Sequence, residues 1–212
     1  MKNYSIESNL RLTSNAAIAA IAVVLTLMTY QPAVELSNYI TTIFPNMMIL
    51  NQMGVIGTIE PMALYGFGWY LFDNYIWKWR ILRRWHCIPD LNGKWDGEFK
   101  SSFVKDDGAR ASGSAIMDID QTFSKMSIQC KFGESSESSA ITIGLSEFNR
   151  CGNKCSLQFS YRNRATDDSV SFNPDRESLH EGFNVIIFDS DSATGDYVTF
   201  RGTCGKLCFK RR

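Results

Sequence analysis

The chain has 212 residues, with 22 Lys and Arg against 22 Asp and Glu, so its balanced charge indicates no particular class of partner. From Trp85 to Arg212 there are 16 basic and 18 acidic residues, a net charge of 16 − 18 = −2. A domain that binds nucleic acid by bulk attraction is clearly basic, so we expect neither DNA nor RNA as a partner. Any anionic ligand must then be held by a local pocket.

Residues 1–84 are predicted to form a two-helix transmembrane hairpin that ends in a basic-aromatic linker. No residue between Arg11 and Glu35 is charged, and a helix needs about 20 apolar residues to cross the hydrocarbon core. A second stretch, residues 53–72, is long enough but contains Glu60. Because a charged carboxylate in a membrane is costly and usually functional, Glu60 is our candidate for the membrane mechanism.

The flanking residues predict the orientation of the hairpin. Basic residues follow the second stretch at once: Lys78, Arg80, Arg83 and Arg84. Because such residues stay on the cytoplasmic side of a membrane, both ends of the hairpin are expected in the cytoplasm, with the protein multi-pass in the inner membrane. A cleaved signal peptide is the main alternative, but Tyr30, Gln31 and Pro32 make a poor cleavage site.

Residues 85–212 predict a cytoplasmic all-β domain. About eight short segments of alternating polarity are separated by clusters of Gly, Asn, Asp and Ser, the spacing typical of a β-sandwich or barrel. No segment has a sustained helical period. We favour an antiparallel barrel of about eight strands, because a closed barrel of that size has no free edges and can hold one small ligand.

The domain carries no catalytic motif that we recognise, so we predict no enzyme and no cofactor. The two histidines, His86 and His180, lie far apart in the sequence. A P-loop, a G-x-S-x-G elbow and a dinucleotide-binding glycine loop are all missing from the sequence. The acidic residues occur mostly as neighbours in turn-like segments, where solvated loop residues are the ordinary interpretation.

The six cysteines leave one question open. They include the pairs CGNKC at 151–155 and CGKLC at 204–208, and zinc sites accept such spacings, although a two-residue gap is commoner. Cytoplasmic cysteines are normally reduced, and Cys often serves as a small buried hydrophobe. We therefore favour a structural role and predict no metal site.

Polar residues on the predicted strands form the candidate ligand site. In the segment YVTFRGT, period-two alternation puts an arginine and two hydroxyls on one face, and a guanidinium matches the oxygens of a phosphate. The segment SYRNR adds a tyrosine that can stack on a base, and a serine-rich tract adds hydroxyls. Taken singly, each has a plainer interpretation as an edge residue or loop. The residues concerned are Tyr197, Thr199, Arg201, Thr203, Tyr161, Arg162 and Ser136.

The order of several motifs along the chain resembles one family. After the two apolar stretches come WKWRILRRW, LNGKWDGEF, IDQTFSKMSIQ, LQFSYRN, LHEGF and TGDYVTFRGTCGKL. This order is similar to the two-transmembrane, β-strand-rich effectors of cyclic-oligonucleotide-based antiphage signalling systems (CBASS). The resemblance spans essentially the whole chain, and the order of the motifs carries it rather than any single one.

The resemblance implies a function. It implies a barrel that binds a cyclic dinucleotide, self-association into a homo-oligomer, and disruption of the inner membrane that ends in growth arrest or cell death. For such a ligand, with two phosphates and two bases, the residues themselves predict that Arg201, with Thr199 and Thr203, contacts phosphate, and that Tyr197 or Tyr161 stacks on a base.

Three further expectations go with this interpretation. His180 either hydrogen-bonds a base edge or is structural, and Trp95 packs at the closed end of the barrel. Glu60 lines a polar path through the assembled helices. Two alternatives predict different geometry: a barrel that carries a lipid or apolar ligand, with Arg201 pointing outward, and a structural docking module with a lumen filled by side chains.

Overall fold

The computed structural model describes residues 1–6, 10–45, 55–104, 108–133, 136–146, 154–165 and 179–212. The chain divides into two compact units. One unit comprises Met1–Glu7 and Arg80–Arg212, and the other is Ser8–Trp79. The extreme N-terminus, which the sequence alone assigns to the membrane region, therefore belongs with the β-domain.

The described residues form helices and strands as follows. The helices are α1 (Leu10–Ile43), α2 (Val55–Asn74) and α3 (Arg80–His86), with a 3-10 turn at Ile76–Lys78. The strands are β1 (Lys2–Asn3), β2 (Ser5–Ile6), β3 (Gly93–Val104), β4 (Arg110–Gln121), β5 (Lys125–Phe132), β6 (Ser136–Ser146), β7 (Lys154–Ala165), β8 (Leu179–Asp189), β9 (Ser192–Thr199) and β10 (Cys204–Arg211).

In the helical unit, one described helix is long and apolar enough to cross a membrane. It is α1, through its 22-residue segment Arg11–Pro32. The second predicted span overlaps α2, a helix of 20 residues. Among the described helices, α2 does not meet the criteria of length and apolarity for crossing a membrane, so the two-helix hairpin stays a prediction. Glu60 lies in the backbone of α2, and its side chain is outside the described residues.

The two long helices contact each other through small and polar residues. The Tyr65 hydroxyl donates a long hydrogen bond of 3.4 Å to Asn15 Oδ1. A β-carbon added at Gly68 would lie 3.4 Å from Cγ2 of Ile18, an ordinary van der Waals distance, so α1 passes close to this glycine. Such small-residue contacts are typical of helices that pack in a membrane.

The β-unit is a closed antiparallel barrel of eight strands, which confirms that part of the predicted fold. The order of neighbouring strands is β5-β4-β3-β10-β9-β8-β7-β6, and a β5–β6 pairing closes the ring. β1 and β2 are additional short strands at the two sides of this closure. The strand alternation is visible in β5, where Met126, Ile128 and Cys130 are buried and Lys125 and Lys131 are exposed.

One end of the barrel is closed by large side chains. Trp95 is fully buried, donates from Nε1 to the Leu91 carbonyl over 3.1 Å, and stands edge-on to Phe188 with ring centroids 4.9 Å apart. Tyr4 and Phe123 are buried as completely. Trp95 is thus a packing residue, as the sequence predicts.

Candidate ligand-binding cavity

The other ends of the same strands surround a cavity of about 590 Å³, within the range of small-molecule sites. Its residues come from β3 to β7, from β9 and from the β9–β10 turn. The apolar and aromatic ones are Phe99, Phe103, Ala111, Phe132, Tyr161 and Tyr197. The polar ones are Ser101, Ser136, Asn163, Thr199, Arg201 and Thr203.

Two cavity tyrosines lie over glycines of the neighbouring strand. Tyr161 is opposite Gly182, where an added β-carbon would lie 2.5 Å from the tyrosine hydroxyl. Tyr197 is opposite Gly205, where a β-carbon would lie 2.5 Å from the ring. The absence of side chains at these two positions is what gives the rings room to lie along the barrel wall.

Both phenols are neutral hydrogen-bond donors at pH 7. Burial raises the pKa of Tyr161 to about 12, with the nearby Tyr197 adding to the shift. Burial also raises the pKa of Tyr197, although its hydrogen bond with Ser101 opposes the change. The tyrosines therefore bring no negative charge to the cavity and can donate to an anionic ligand.

The β9–β10 turn brings the arginine and the hydroxyls together. β9 ends at Thr199, whose Oγ1 lies 2.6 Å from Oγ1 of Thr203, and the backbone N–H of Thr199 donates to the Thr203 carbonyl over 2.8 Å. Gly202 has φ +79°, which completes this tight turn. Period-two alternation predicts that Arg201 lies on a strand, but in the structure it lies in the turn. It nevertheless lines the cavity.

Ser136 and Asn163 form a second polar group on the cavity wall. The Ser136 hydroxyl donates to Asn163 Oδ1 over 2.8 Å and so joins β6 to β7. Asn163 is nearly buried, at 8% exposure. The sequence reasoning missed it, although period two puts Asn163 on the same strand face as Tyr161.

Two predicted site residues lie elsewhere or cannot be described. Arg162 faces the outside of β7, as its position between Tyr161 and Asn163 requires, and donates two hydrogen bonds of 2.9 and 2.7 Å to Glu181 Oε1. It does not line the cavity. His180 lies on β8 opposite Asn163, and its side chain is outside the described residues.

The cavity has a wall of aromatic rings and one charge. Phe99 and Phe132 meet edge to face, with centroids 5.5 Å apart. Among the described residues that line the cavity, Arg201 carries the only formal charge. A ligand with flat apolar groups and negative charge suits this combination. The open cavity differs from the filled lumen of a docking module, and Arg201 is among the residues that line it.

The cysteines do not converge on one point where they are described. Cys155 is buried in the barrel, and burial raises the pKa of its thiol to about 12, whereas Cys204 and Cys208 are exposed. Cys151, the fourth member of the two pairs, lies outside the described residues. No group of three possible metal ligands occurs within the described ranges.

Comparison with known proteins gives two matches. Residues 86–211 match a family model described as Cap15, cyclic dinucleotide receptor domain. The chain is also 29% identical over 156 residues to CD-NTase-associated protein 15 of Yersinia aleksiciae. That match covers 71% of this chain and 66% of the relative, slightly less than two thirds of the relative's length.

Proposed function

We infer, from the premise that this chain belongs to the Cap15 cyclic dinucleotide receptor family, that its cavity binds a cyclic dinucleotide and that the protein is an antiphage CBASS effector. The two matches confirm the family resemblance found in the sequence. The observation that carries the assignment of the site is the convergence, in one cavity of about 590 Å³, of a single cation, several hydroxyls and two tyrosines.

The chemistry of the ligand accounts for each part of this site. A cyclic dinucleotide has two phosphates and two bases. Arg201, with the hydroxyls of Thr199 and Thr203, is proposed to bind a phosphate, because charge-assisted hydrogen bonds to a guanidinium are among the strongest available. Tyr197 and Tyr161 are proposed to stack on the bases, since an aromatic face accepts any base.

A second polar group is suited to the base edges. Asn163 carries both a donor and an acceptor on one side chain, and Ser136 is hydrogen-bonded to it. We propose that this pair contacts a base edge. Arg162 is left out of the proposed site because its guanidinium is paired with Glu181 on the outer surface.

The membrane part of the function is also a proposal. Ligand binding promotes self-association of the barrels, and tethering then raises the effective concentration of the helices. The helices disrupt the inner membrane, and growth stops or the cell dies. Two features support this: α1 is long and apolar enough to span a bilayer, and its Leu27 and Met28 side chains are both 73% exposed.

Calorimetric titration tests the ligand. The full chain in detergent micelles is titrated with a panel of cyclic dinucleotides, and we expect one member to bind with micromolar or tighter affinity. Arg201→Ala should weaken that binding about tenfold to a hundredfold, because it removes a charged hydrogen-bond donor.

Arg162→Ala is the matched control, since it removes an arginine of the same barrel that lies outside the cavity and is paired with Glu181. Its affinity should equal that of the unmodified protein. If no member of the panel binds to the folded protein, the receptor assignment is contradicted. Equal losses in the two arginine variants contradict the assignment of the site.

Glu60→Gln tests the membrane mechanism separately. If Glu60 lines a polar path, the amide variant should release less dye from ligand-treated proteoliposomes and be less toxic in cells, because it removes a charge from that path. Ligand affinity should be unchanged. Full toxicity of the Gln variant at equal expression removes Glu60 from the mechanism.

A further inference from the structure

One buried polar side chain of the barrel has no hydrogen-bond partner. Asn184 is only 1% exposed, yet neither its Nδ2 nor its Oδ1 is bonded to another group of the described residues. A buried amide that is left unbonded destabilises the fold, and nearly all buried polar side chains of native proteins are bonded. Asn184 therefore calls for a partner that the described part of the barrel does not supply.

The side chain of Asn184 points into the barrel. On β8 the residues Phe183 and Ile187 are 44% and 48% exposed, whereas Gly182, Asn184 and Ile186 are buried. Because alternate residues of a strand face opposite sides, the buried set faces the barrel interior. The amide is thus directed toward the lumen and not toward the outer surface.

The layer on the closed-end side of Asn184 is packed by apolar atoms. There Ile186 lies opposite Gly195 of β9, and a β-carbon added at this glycine would lie 2.9 Å from Ile186 Cγ1. The Ile186 side chain is fully buried. This pair offers the amide no polar side chain.

The layer on the other side belongs to the cavity. Asn184 lies opposite Tyr197 of β9, which lines the cavity, and the β-carbons of opposed residues are about 4.5–5.5 Å apart. The next inward position on β8 is Gly182, which has no side chain and is covered by the Tyr161 hydroxyl. Asn184 therefore lies next to both cavity tyrosines, where the packed core meets the open volume.

The other polar groups of the wall are already bonded to each other. Thr199, opposite Gly182, has its hydroxyl 2.6 Å from that of Thr203. Oδ1 of Asn163 accepts from Ser136. In contrast to these groups, the carboxamide of Asn184 has both its donor and its acceptor available among the described residues.

A carboxamide in this state matches the edge of a nucleobase. It donates from Nδ2 and accepts at Oδ1, and Asn forms such paired hydrogen bonds with adjacent acceptor and donor atoms of adenine. Proteins that bind an unstacked base read its edge in this way while aromatic rings stack on its faces. A phosphate has acceptors alone and would leave Oδ1 unbonded, and an apolar ligand would leave both atoms unbonded.

We propose that Asn184 selects one base of the ligand: a base that stacks on Tyr161 or Tyr197 turns its edge to the carboxamide, which bonds it through Nδ2 and Oδ1. The inference rests on the proposed cyclic dinucleotide ligand and adds a specificity-determining residue to its site. A base without a matching donor and acceptor leaves the buried amide unbonded, and such a ligand is rejected for that reason.

Removal of the amide should have opposite effects on stability and on binding. Asn184→Leu and Asn184→Met are made in the full chain in detergent micelles, the second because a flexible side chain adapts to irregular space. Since an apolar group replaces an unbonded polar one, the urea midpoint of the ligand-free protein, followed by circular dichroism, should stay the same or rise. The affinity for the cyclic dinucleotide should fall at least tenfold by calorimetric titration.

The panel for this titration contains cyclic di-AMP, cyclic di-GMP, cyclic di-UMP and cyclic GMP-AMP. Val185→Ala is the matched control, because this side chain is the next one along β8 and lies on the outer face. Its affinity should equal that of the unmodified protein.

A cycle with a modified ligand tests the contact itself. The member that binds is compared with its analogue whose bases lack the exocyclic amino or oxo group. In the unmodified protein the analogue should bind at least tenfold more weakly, and in Asn184→Leu this difference should largely disappear, because the two changes remove the same hydrogen bonds. Independent, additive losses overturn the assignment of Asn184.

The remaining outcomes separate this inference from the receptor assignment. Unchanged affinity in a folded Asn184 variant overturns the role of the amide and leaves the receptor assignment intact. A lower urea midpoint in both variants shows that the barrel itself bonds the amide, which also overturns the inference. If no panel member binds to the folded, unmodified chain, the receptor assignment and the role of Asn184 are overturned together.

Discussion

The two ends of the barrel are made from the same eight strands but are filled by different chemistry. At the closed end, Trp95, Phe188 and Phe123 pack without exposed surface. At the cavity end, tyrosine, threonine, serine and asparagine join phenylalanine around an open volume. The same alternation of inward and outward side chains is thus found where the inward side chains pack together and where they line a cavity. Stability and ligand binding can therefore be assigned to opposite ends of one sheet.

The largest expected effect is a loss of folding stability caused by a substitution at the closed end. Trp95→Ala should lower the free energy of unfolding by about 3–5 kcal/mol, as large-to-small changes in a packed core do. The loss is measured by urea denaturation of the full chain in detergent, followed by the circular dichroism of the barrel strands. Arg201→Ala, at the other end and exposed, should stay within about 0.5 kcal/mol of the unmodified protein. Equal losses from both variants would show that the two ends are not energetically distinct.

A smaller effect, on ligand affinity, is expected from a substitution at the cavity end. Tyr197→Ala should weaken binding of the cyclic dinucleotide by about 1–3 kcal/mol, the value of one base stacked on an aromatic ring. Tyr197→Phe keeps the ring and should retain most of the affinity. Calorimetric titration distinguishes the two variants, and a Phe variant as weak as the Ala variant would assign the contribution to the hydroxyl.

The smallest expected effect is a loss of stability that appears only at alkaline pH and involves two residues of β7. Burial raises the pKa of Cys155 at the closed end from 9.0 to about 12 and that of Tyr161 at the cavity end from 10.0 to about 12. A raised folded-state pKa gives stability that is complete below the unfolded value and is lost as the pH rises through the folded one. Stability should therefore fall first for Cys155, from about pH 9, and then for Tyr161, from about pH 10.

Urea denaturation between pH 8 and 12 measures this decline. Cys155→Ala and Tyr161→Phe each remove one titrating group, so each should flatten the profile in its own pH window. Neither variant should change the slope near pH 8, below both windows. A profile that is unaltered in both variants contradicts the assignment of the decline to these two groups.

Much of the structure of the β-domain can be predicted from the sequence, because strand alternation and turn residues are local signals. Alternation and turn residues predict the eight strands, and period two on the segment 157–163 already separates Tyr161 and Asn163 from Arg162. The two-residue alternation also brings Tyr197 and Thr199 to one wall. What it does not predict is that Arg201 reaches the cavity from a turn, because the end of β9 depends on the left-handed conformation of Gly202.

Other parts of the site could not be predicted because they depend on pairing between distant segments. Phe99 and Phe132 face each other only after β3, β4 and β5 have formed a sheet, so the aromatic wall has no signature in sequence. The N-terminal strands are two residues each, too short for any periodicity to show. Their role depends entirely on partners more than a hundred positions away.

The participation of the first six residues has a practical consequence for work on the isolated sensor. A fragment that starts at residue 85 would contain all eight long strands but would leave unpaired backbone edges along β5 and β6. Such exposed edges invite pairing between molecules and aggregation. Fusing the sequence MKNYSI to the front of the fragment through a flexible linker restores the missing partner, and this version is expected to remain monodisperse where the shorter one precipitates.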